Sequence, residues 1–188
     1  MWSTLAADLR ATVDETQHGG IRYWVRVVGK ALVTPQVQAV VLFRVGHALA
    51  RTPLRPLAFM LRSVGLTLSG AELHPDATIG PGLALVHSNG VVIGHGVVVG
   101  EGCRISQGVT LGEPGRGGGR DKWGFPTVGD HVTLGVHAVV LGPHHLGDYA
   151  VIGANSVVTG DIPAKSIAVG APAKVVRELD MDDWGGRG

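Results

Sequence analysis

Aliphatic residues recur at every sixth position through most of the second half of the chain. The strict six-residue series comprises Val128, Leu134, Val140, Leu146, Ile152 and Val158, and the same step occurs earlier as Leu73, Ile79 and Leu85 and then as Ile93, Val99, Ile105 and Leu111. Glycine follows four of the first six positions, and a small residue often comes four positions later, as at Ala138 and Ala150. A fixed hexapeptide period is typical of a parallel β-helix. We therefore predict a three-sided prism in which three hexapeptides make one coil.

Two interruptions break this six-residue step. Between Leu85 and Ile93 two extra residues are present, near the HSNG run at residues 87–90. Between Leu111 and Val128 the chain leaves the step through a glycine-rich loop, residues 113–126. Because loops on a rigid scaffold often carry function, both interruptions are candidate functional segments.

Residues 1–70 lack the six-residue step and predict helices. Apolar periodicity predicts one helix capped by Ser3 and Thr4 that continues to Asp14, and others at about residues 21–33, 36–50 and 57–68. Pro53 and Pro56 separate the last two, since a proline inside a helix lacks its N–H and clashes with the preceding turn. We expect an α-helical region at residues 1–70, a β-helix at residues 71–179 with loop 113–126 protruding, and a tail at residues 180–188.

Four arginines of the helical region recur at steps of seven, four and seven residues: Arg44, Arg51, Arg55 and Arg62. This spacing predicts a shared positive face if the helix axis bends little at the prolines. Such a face is either solvated or a contact with a membrane surface.

Composition narrows the function classes. The 30 glycines and 5% aromatic residues suit a narrow prism, and a net charge of +1 gives no argument for a nucleic-acid partner. The single cysteine, Cys103, excludes an internal disulfide and fits a reducing compartment. It occupies a small inward position of its hexapeptide, which predicts a packed thiol. With no apolar run of signal-peptide or membrane-spanning type, we expect a cytoplasmic protein.

His87 is the candidate catalytic residue because it lies at an interruption rather than in a regular coil. Glu72 comes fifteen residues earlier, which is three residues short of one full coil of three hexapeptides. This spacing predicts that Glu72 and His87 lie near one edge of the prism. A carboxylate beside an imidazole orients the ring and stabilises its protonated form, which makes it a better general base. The alternative is that both are solvated side chains on an outer wall.

The nine histidines do not predict a metal site within one chain. His131 and His137 are six residues apart and so lie on different sides of the prism. A three-histidine zinc site needs its ligands about 2.0–2.1 Å from one ion, so the ligands would have to converge between subunits. We expect no metal, with a β-helical zinc enzyme as an alternative.

Residues 71–178 closely resemble the bacterial serine acetyltransferases. The resemblance rests on the runs GAELHPDATIGPGLALVHSNGVVIG, GEGCRISQGVTLGEPG, VGDHVTLGVHAVVLG, IGANSVVTGDIP and VGAPAKVV, and extends weakly into the helical region through FRVGHAL. It implies a left-handed parallel β-helix and a homotrimer, with acetyl-CoA in the groove between subunits and the loop reaching toward a neighbour's site. Pairing of trimers into hexamers through the helices stays open.

The resemblance also implies roles for two residues. His87 matches the family's histidine that takes the proton from the acceptor hydroxyl. Glu72 stands where the family has the aspartate that assists it; glutamate keeps the charge but lengthens the arm.

The groups that hold free serine in this family are replaced here. Val86 stands where the family has an aspartate for the ammonium, and residues 124–126 read Gly-Phe-Pro where it has Arg-His-Pro. Burying a zwitterion without opposite charges is costly. The acceptor is therefore predicted to differ from free L-serine.

Loop residues give two interpretations of the acceptor site. Arg120 and Lys122 are candidates to replace the missing carboxylate binders. Otherwise Trp123 and Phe125 line the site and favour a less charged or larger acceptor. The alternative role for Trp123 and Phe125 is to anchor the loop on the adjacent subunit.

For the donor, the resemblance implies contacts from coil edges. The matching positions are Gly112, Gly135, Ala138, Gly153 and Ala154, with Lys174 as a candidate for a CoA phosphate. The alternatives are that these glycines only allow the chain to turn corners and that Lys174 is an ordinary surface lysine.

The sequence thus predicts an acyl-CoA-dependent O-acyltransferase whose acceptor is a small-molecule hydroxyl. Two alternatives remain. One is a serine O-acetyltransferase of cysteine biosynthesis with a rearranged loop. The other is a non-catalytic β-helix scaffold.

Overall fold

The computed structural model describes residues 2–12, 25, 29–30, 33–115 and 123–181. Its helices are α1 (Trp2–Thr12), α2 (Pro35–Ala50) and α3 (Arg55–Ser69). Its strands are β1 (Glu72–Leu73), β2 (Thr78–Ile79), β3 (Ala84–Leu85), β4 (Val92–Ile93), β5 (Val98–Val99), β6 (Arg104–Ile105), β7 (Thr110–Gly112), β8 (Thr127–Val128), β9 (Thr133–Leu134), β10 (Val139–Leu141), β11 (His145–Leu146), β12 (Val151–Ile152), β13 (Val157–Val158), β14 (Ser166–Val169) and β15 (Lys174–Glu178).

Proline and glycine set the helix ends. Helix α2 begins at Pro35, and α3 carries Pro56 in its first turn, where a missing N–H costs nothing. Helix α3 ends at Ser69 and is capped by Gly70, whose φ of 70° is the left-handed conformation typical of a helix C-terminus. The predicted helices at 36–50 and 57–68 are confirmed. The predicted cap of the first helix is wrong, because α1 begins at Trp2 and already contains Ser3 and Thr4. Most of the predicted 21–33 helix lies outside the described residues.

The strands form three sheets that make the faces of a prism. Face 1 has the order β1-β4-β7-β10-β13, face 2 the order β11-β8-β5-β2, and face 3 the order β15-β14-β12-β9-β6-β3. All pairs are parallel except β14 with β15. The predicted left-handed parallel β-helix, preceded by helices, is confirmed.

Strand register shows where the two interruptions leave the prism. Leu73 pairs with Ile93, twenty residues later, whereas Ile93 pairs with Leu111, eighteen residues later. Val99 pairs with Val128 across the glycine-rich loop. Register is therefore kept on both sides of each insertion, and each insertion leaves and rejoins the prism at a corner.

The aliphatic residues at the six-residue step fill the interior. The thirteen positions are each no more than 6% exposed: Leu73, Ile79, Leu85, Ile93, Val99, Ile105, Leu111, Val128, Leu134, Val140, Leu146, Ile152 and Val158. Cys103 lies among them with no exposed surface, and its thiol donates to the Gly129 carbonyl at 3.2 Å. Burial raises the pKa of Cys103 to about 11, so it is the packed thiol that the sequence predicts.

Three corners join the faces, and each is named after the face that precedes it. Corner 1 follows face 1 and includes residues 94–97 and the described ends of the glycine-rich loop, residues 113–115 and 123–126. Corner 2 follows face 2. Corner 3 follows face 3 and includes residues 86–91, 135–138 and 153–156.

A buried ion pair attaches the helices to the first coil. Arg44 and Asp8 are 5% and 1% exposed, and Arg44 Nε donates to Asp8 Oδ2 at 2.7 Å. The other Arg44 nitrogens donate to the carbonyls of Ile79 and Gly80, both at 2.6 Å. Asp8 also accepts from the Leu83 amide at 2.9 Å. Helices α1 and α2 are thereby fixed to the turn between β2 and β3.

This pairing overturns the predicted positive face. Besides Arg44, which is buried, Arg55 pairs with Asp76 at 2.7 Å and Arg62 pairs with Glu72. Three of the four arginines are thus neutralised by carboxylates that the helical spacing did not reveal. In the described part of the chain, no helix has the length and apolar character needed to cross a membrane.

The Arg44 pair yields a stability prediction. Removing one partner with Arg44→Met or Asp8→Ala leaves a buried charge uncompensated, and we expect a loss of about 3–5 kcal/mol in the free energy of unfolding. The double variant should lose less than the sum of the two single variants. Chemical denaturation measures all three.

The matched control is Arg55→Met, which removes an arginine from an exposed ion pair and should cost at most about 1 kcal/mol. Equal losses for Arg44→Met and Arg55→Met would contradict the structural role of the buried pair.

Candidate active site

His87 lies on the turn at corner 3 that contains the two-residue insertion between β3 and β4. Its side chain is exposed and lines an open cavity of about 490 Å³. The rest of the lining comes from the start of α2, from the end of α3 with Gly70, and from the same turn: Pro35, Gln36, Thr67, Leu68, Ser69, Gly70, Ser88 and Asn89. The candidate base therefore faces a space bounded by both the helices and the prism.

Hydrogen bonds to the end of α3 hold the turn that carries His87. The buried Ser88 hydroxyl donates to the Ser69 carbonyl at 2.7 Å, and the Gly90 amide donates to the Gly70 carbonyl at 2.9 Å. Gly90 has a φ of 71°, which favours glycine at this position. The position of His87 thus depends on where α3 ends.

The described lining of this cavity contains no aspartate, glutamate, lysine or arginine. Gln36, Thr67 and Asn89 offer neutral hydrogen-bonding groups, and Pro35 and Leu68 offer apolar surface. Such a lining suits an uncharged hydroxyl compound better than a zwitterion, which needs opposite charges nearby. Val86, which replaces the family's aspartate, is 38% exposed and is not among the lining residues.

Glu72 makes a different contact from the one predicted. It lies on β1 opposite Val92, and its carboxylate accepts a hydrogen bond from Arg62 Nη2 of α3. No hydrogen bond joins it to His87 in this structure, so the predicted pair is not formed. The Arg62 Nε atom beside it is buried without a hydrogen-bond partner.

The structure also reveals aromatic contacts at corner 1 that the sequence analysis missed. The His74 ring lies between Phe59 and His95, with ring centroids 5.6 and 5.5 Å away, and His95 lies 5.0 Å from Phe125. Burial, followed by the nearby Arg62 guanidinium, lowers the pKa of His74. His74 and His95 are twenty-one residues apart, one more than the strand register, so the repeat gave no signal for their contact.

Phe125 anchors the end of the glycine-rich loop on its own chain. Its half-buried ring fills the space above Gly96, where an added Cβ would lie 2.5 Å from the ring. Trp123 is 50% exposed. Arg120 and Lys122 lie outside the described residues. The sequence suggested that Phe125 anchors the loop on the adjacent subunit, whereas in this structure its ring contacts its own chain.

The predicted donor residues divide between two corners. Gly135, Gly153 and Ala154 lie together at corner 3, where a Cβ on Gly135 would lie 2.8 Å from the Ala154 amide. Gly112 ends β7 at corner 1. Lys174 is exposed at the start of β15.

The predicted donor contact of Ala138 is wrong. Ala138 has no exposed surface and belongs to the core. Its amide donates to Gly135 and its carbonyl accepts from Thr110, so neither its side chain nor these backbone groups are free for a ligand.

One chain does not bring all of the candidate residues together. His87 and the Gly135 region lie at corner 3, whereas Gly112, Trp123 and Phe125 belong to corner 1. Within the described residues, no group of three or more histidine, cysteine, aspartate or glutamate side chains is placed to hold a metal ion.

Comparisons with known proteins agree with this geometry. A family model described as the hexapeptide repeat of succinyl-transferase matches residues 127–160. A serine acetyltransferase from Helicobacter pylori strain J99 is 41% identical over 145 residues, which cover 77% of this chain and 83% of that protein.

Two solved structures extend the comparison across nearly the whole chain. The Neisseria gonorrhoeae serine acetyltransferase superposes with a TM-score of 0.81 at 33% identity, covering 99% of this chain and 71% of that one. A Brucella abortus serine acetyltransferase in complex with coenzyme A has a TM-score of 0.81 at 30% identity, covering 95% and 69%.

The prism, the repeat and these relatives define a hexapeptide-repeat acyltransferase rather than a non-catalytic scaffold. The chain belongs to the serine acetyltransferase family.

The contact between Ser88 and Ser69 yields a prediction for this site. Ser88→Ala leaves the buried Ser69 carbonyl without its partner, and we expect a loss of about 1 kcal/mol in the free energy of unfolding. The looser turn should also lower kcat/KM, because His87 is then held less firmly. Denaturation and steady-state kinetics measure the two effects.

Ser63→Ala is the control, since the Ser63 hydroxyl is exposed and bonds only within α3, to the Phe59 carbonyl. It should leave both quantities nearly unchanged. A Ser88→Ala protein with lower stability but unaltered kcat/KM would show that this anchor does not serve the reaction.

Proposed function

We propose that this chain transfers the acetyl group of acetyl-CoA to the hydroxyl of a small molecule other than free L-serine. The observation that carries this proposal is the cavity beside His87, whose described lining has no charged side chain for an ammonium or a carboxylate. Charged ends placed there would lose hydration without gaining ion pairs from this lining.

His87 acts as the general base in this proposal. Its imidazole takes the hydroxyl proton while the acceptor oxygen attacks the thioester carbonyl. The carbon–sulfur bond then breaks, and the CoA sulfur leaves with the proton that the imidazolium returns. Transfer is direct, with no acylated residue, and the proton and the acyl group are both accounted for.

Glu72 is proposed as a positioning residue for His87. Its carboxylate is held by Arg62 in this structure, so it orients His87 only after it rotates away from Arg62. We propose that the longer arm of glutamate, compared with the family's aspartate, lets Glu72 reach His87 after that rotation.

We further propose a homotrimer in which each site lies between two copies. Corner 3 of one copy would supply His87 with Gly135, Gly153 and Ala154, and corner 1 of the next would supply Gly112 and the glycine-rich loop. The division of these residues between two corners of one chain supports this arrangement. A CoA complex is known for the Brucella relative, and Lys174 is proposed to meet a CoA phosphate. The buried thiol of Cys103 is in keeping with a cytoplasmic location.

The second candidate is acetylation of free L-serine, which the names of the relatives favour. In that case Arg120 and Lys122 of the loop supply the carboxylate-binding charge.

The two candidates predict opposite acceptor preferences. L-Serine and N-acetyl-L-serine methyl ester share the reacting hydroxymethyl group but differ in charge. We expect kcat/KM for the neutral ester to exceed that for L-serine by at least about tenfold, since 1.4 kcal/mol of charge desolvation corresponds to that factor. Release of the CoA thiol measures both rates. A preference for L-serine that disappears in the Arg120→Met/Lys122→Met variant would establish the second candidate instead.

His87→Ala should lower kcat by about 100-fold or more, because it removes the proposed general base. Its affinity for CoA, measured by calorimetry, should stay unchanged. The control is His145→Ala, an exposed histidine on face 2. Full turnover by His87→Ala would refute the assigned role.

A further inference from the structure

We propose that the acceptor carries an apolar arm next to its hydroxyl, and that this arm lies along an exposed stripe of α3 that leads to His87. This inference rests on the proposed function and specifies its acceptor. The stripe consists of Leu57, Met60, Val64 and Leu68.

The stripe is a continuous apolar surface on one side of a helix. Its members are spaced by three, four and four residues, which places them on the same side. They are between 41% and 64% exposed. The side of α3 packed against the rest of the molecule is a different one, formed by Ala58, Gly65 and Ser69. A surface of this kind commonly marks a binding site.

Leu68 connects the stripe to the candidate active site. It is 54% exposed and lines the same cavity as His87. From Leu68 the stripe runs back eleven residues to Leu57, which at the rise of an α-helix is about 16 Å. A molecule with its hydroxyl at His87 therefore has an apolar track beginning beside it.

The chemistry of the cavity favours a small-molecule arm over a protein partner on this surface. The cavity has neutral polar groups near His87 and apolar groups at Leu68 and Pro35, which matches a molecule with a hydroxyl head and an apolar extension. In the proposed trimer a second copy already lies beside corner 3. That copy is therefore the competing occupant of the stripe that the experiment must distinguish.

The test uses N-acyl-L-serine methyl esters whose acyl chain grows from two to eight carbons. Each added methylene that is buried should raise kcat/KM by about fourfold. Leu68→Ser should flatten this dependence. Leu66→Ser is the matched control, because Leu66 is 43% exposed on the same helix but lies outside the stripe; it should keep the wild-type slope.

Binding is measured separately from turnover so that failure of the two proposals can be told apart. Calorimetry on the His87→Ala protein should show tighter binding of the longer esters, with the gain lost in the His87→Ala/Leu68→Ser protein. Chain-length-dependent binding without turnover would support the apolar arm and count against the proposed reaction.

Two results would overturn the inference. One is turnover of the neutral esters with no dependence on chain length, which would leave the proposed function intact. The other is a change of oligomeric state in Leu68→Ser, seen by light scattering, with an unchanged slope; this would assign the stripe to a second copy of the chain.

Discussion

Successive coils of the β-helix are held in register by parallel backbone hydrogen bonds, and every other feature of the molecule has to fit that register. The inward aliphatic residue of each hexapeptide stacks on its equivalent in the next coil, as Ile93 does on Leu111. An extra residue within a strand would turn the core series outward. Additional residues are therefore found at corners, and both interruptions of the repeat, at His87 and at the glycine-rich loop, obey this condition.

The helices contribute to the site as well as to stability. Arg44 and Asp8 fix α1 and α2 to the first coil, and the end of α3 bonds to the turn carrying His87 through Ser69 and Gly70. One wall of the His87 cavity is consequently helical. The neutral, partly apolar character of that wall is the basis for proposing an acceptor unlike free serine.

The repeat made the prism, its core and the placement of His87 predictable, because a fixed period determines which side chains point inward. Contacts between distant segments were not predictable. The spacing of the helical arginines suggested a positive face, but Arg44 finds its partner thirty-six residues away at Asp8. Likewise Glu72 pairs with Arg62 of a helix that follows no repeat. The burial of Ala138, which rules out its predicted contact with the donor, could have been predicted from the sequence. Ala138 lies four residues after Leu134, and this position of the repeat points inward.

The way the glycine-rich loop is fastened has a consequence for how this enzyme can change through evolution. Gly112 ends one strand on the near side, and on the far side Phe125 rests on His95 while the Pro126 carbonyl accepts the Val98 amide. The hydrogen-bonded register between strands therefore resumes immediately after the loop. Because both ends of the loop are fixed to the prism, substitutions between these two anchor points should disturb the β-helix little. Under the proposed function, such substitutions can change the acceptor while His87 and the scaffold stay the same.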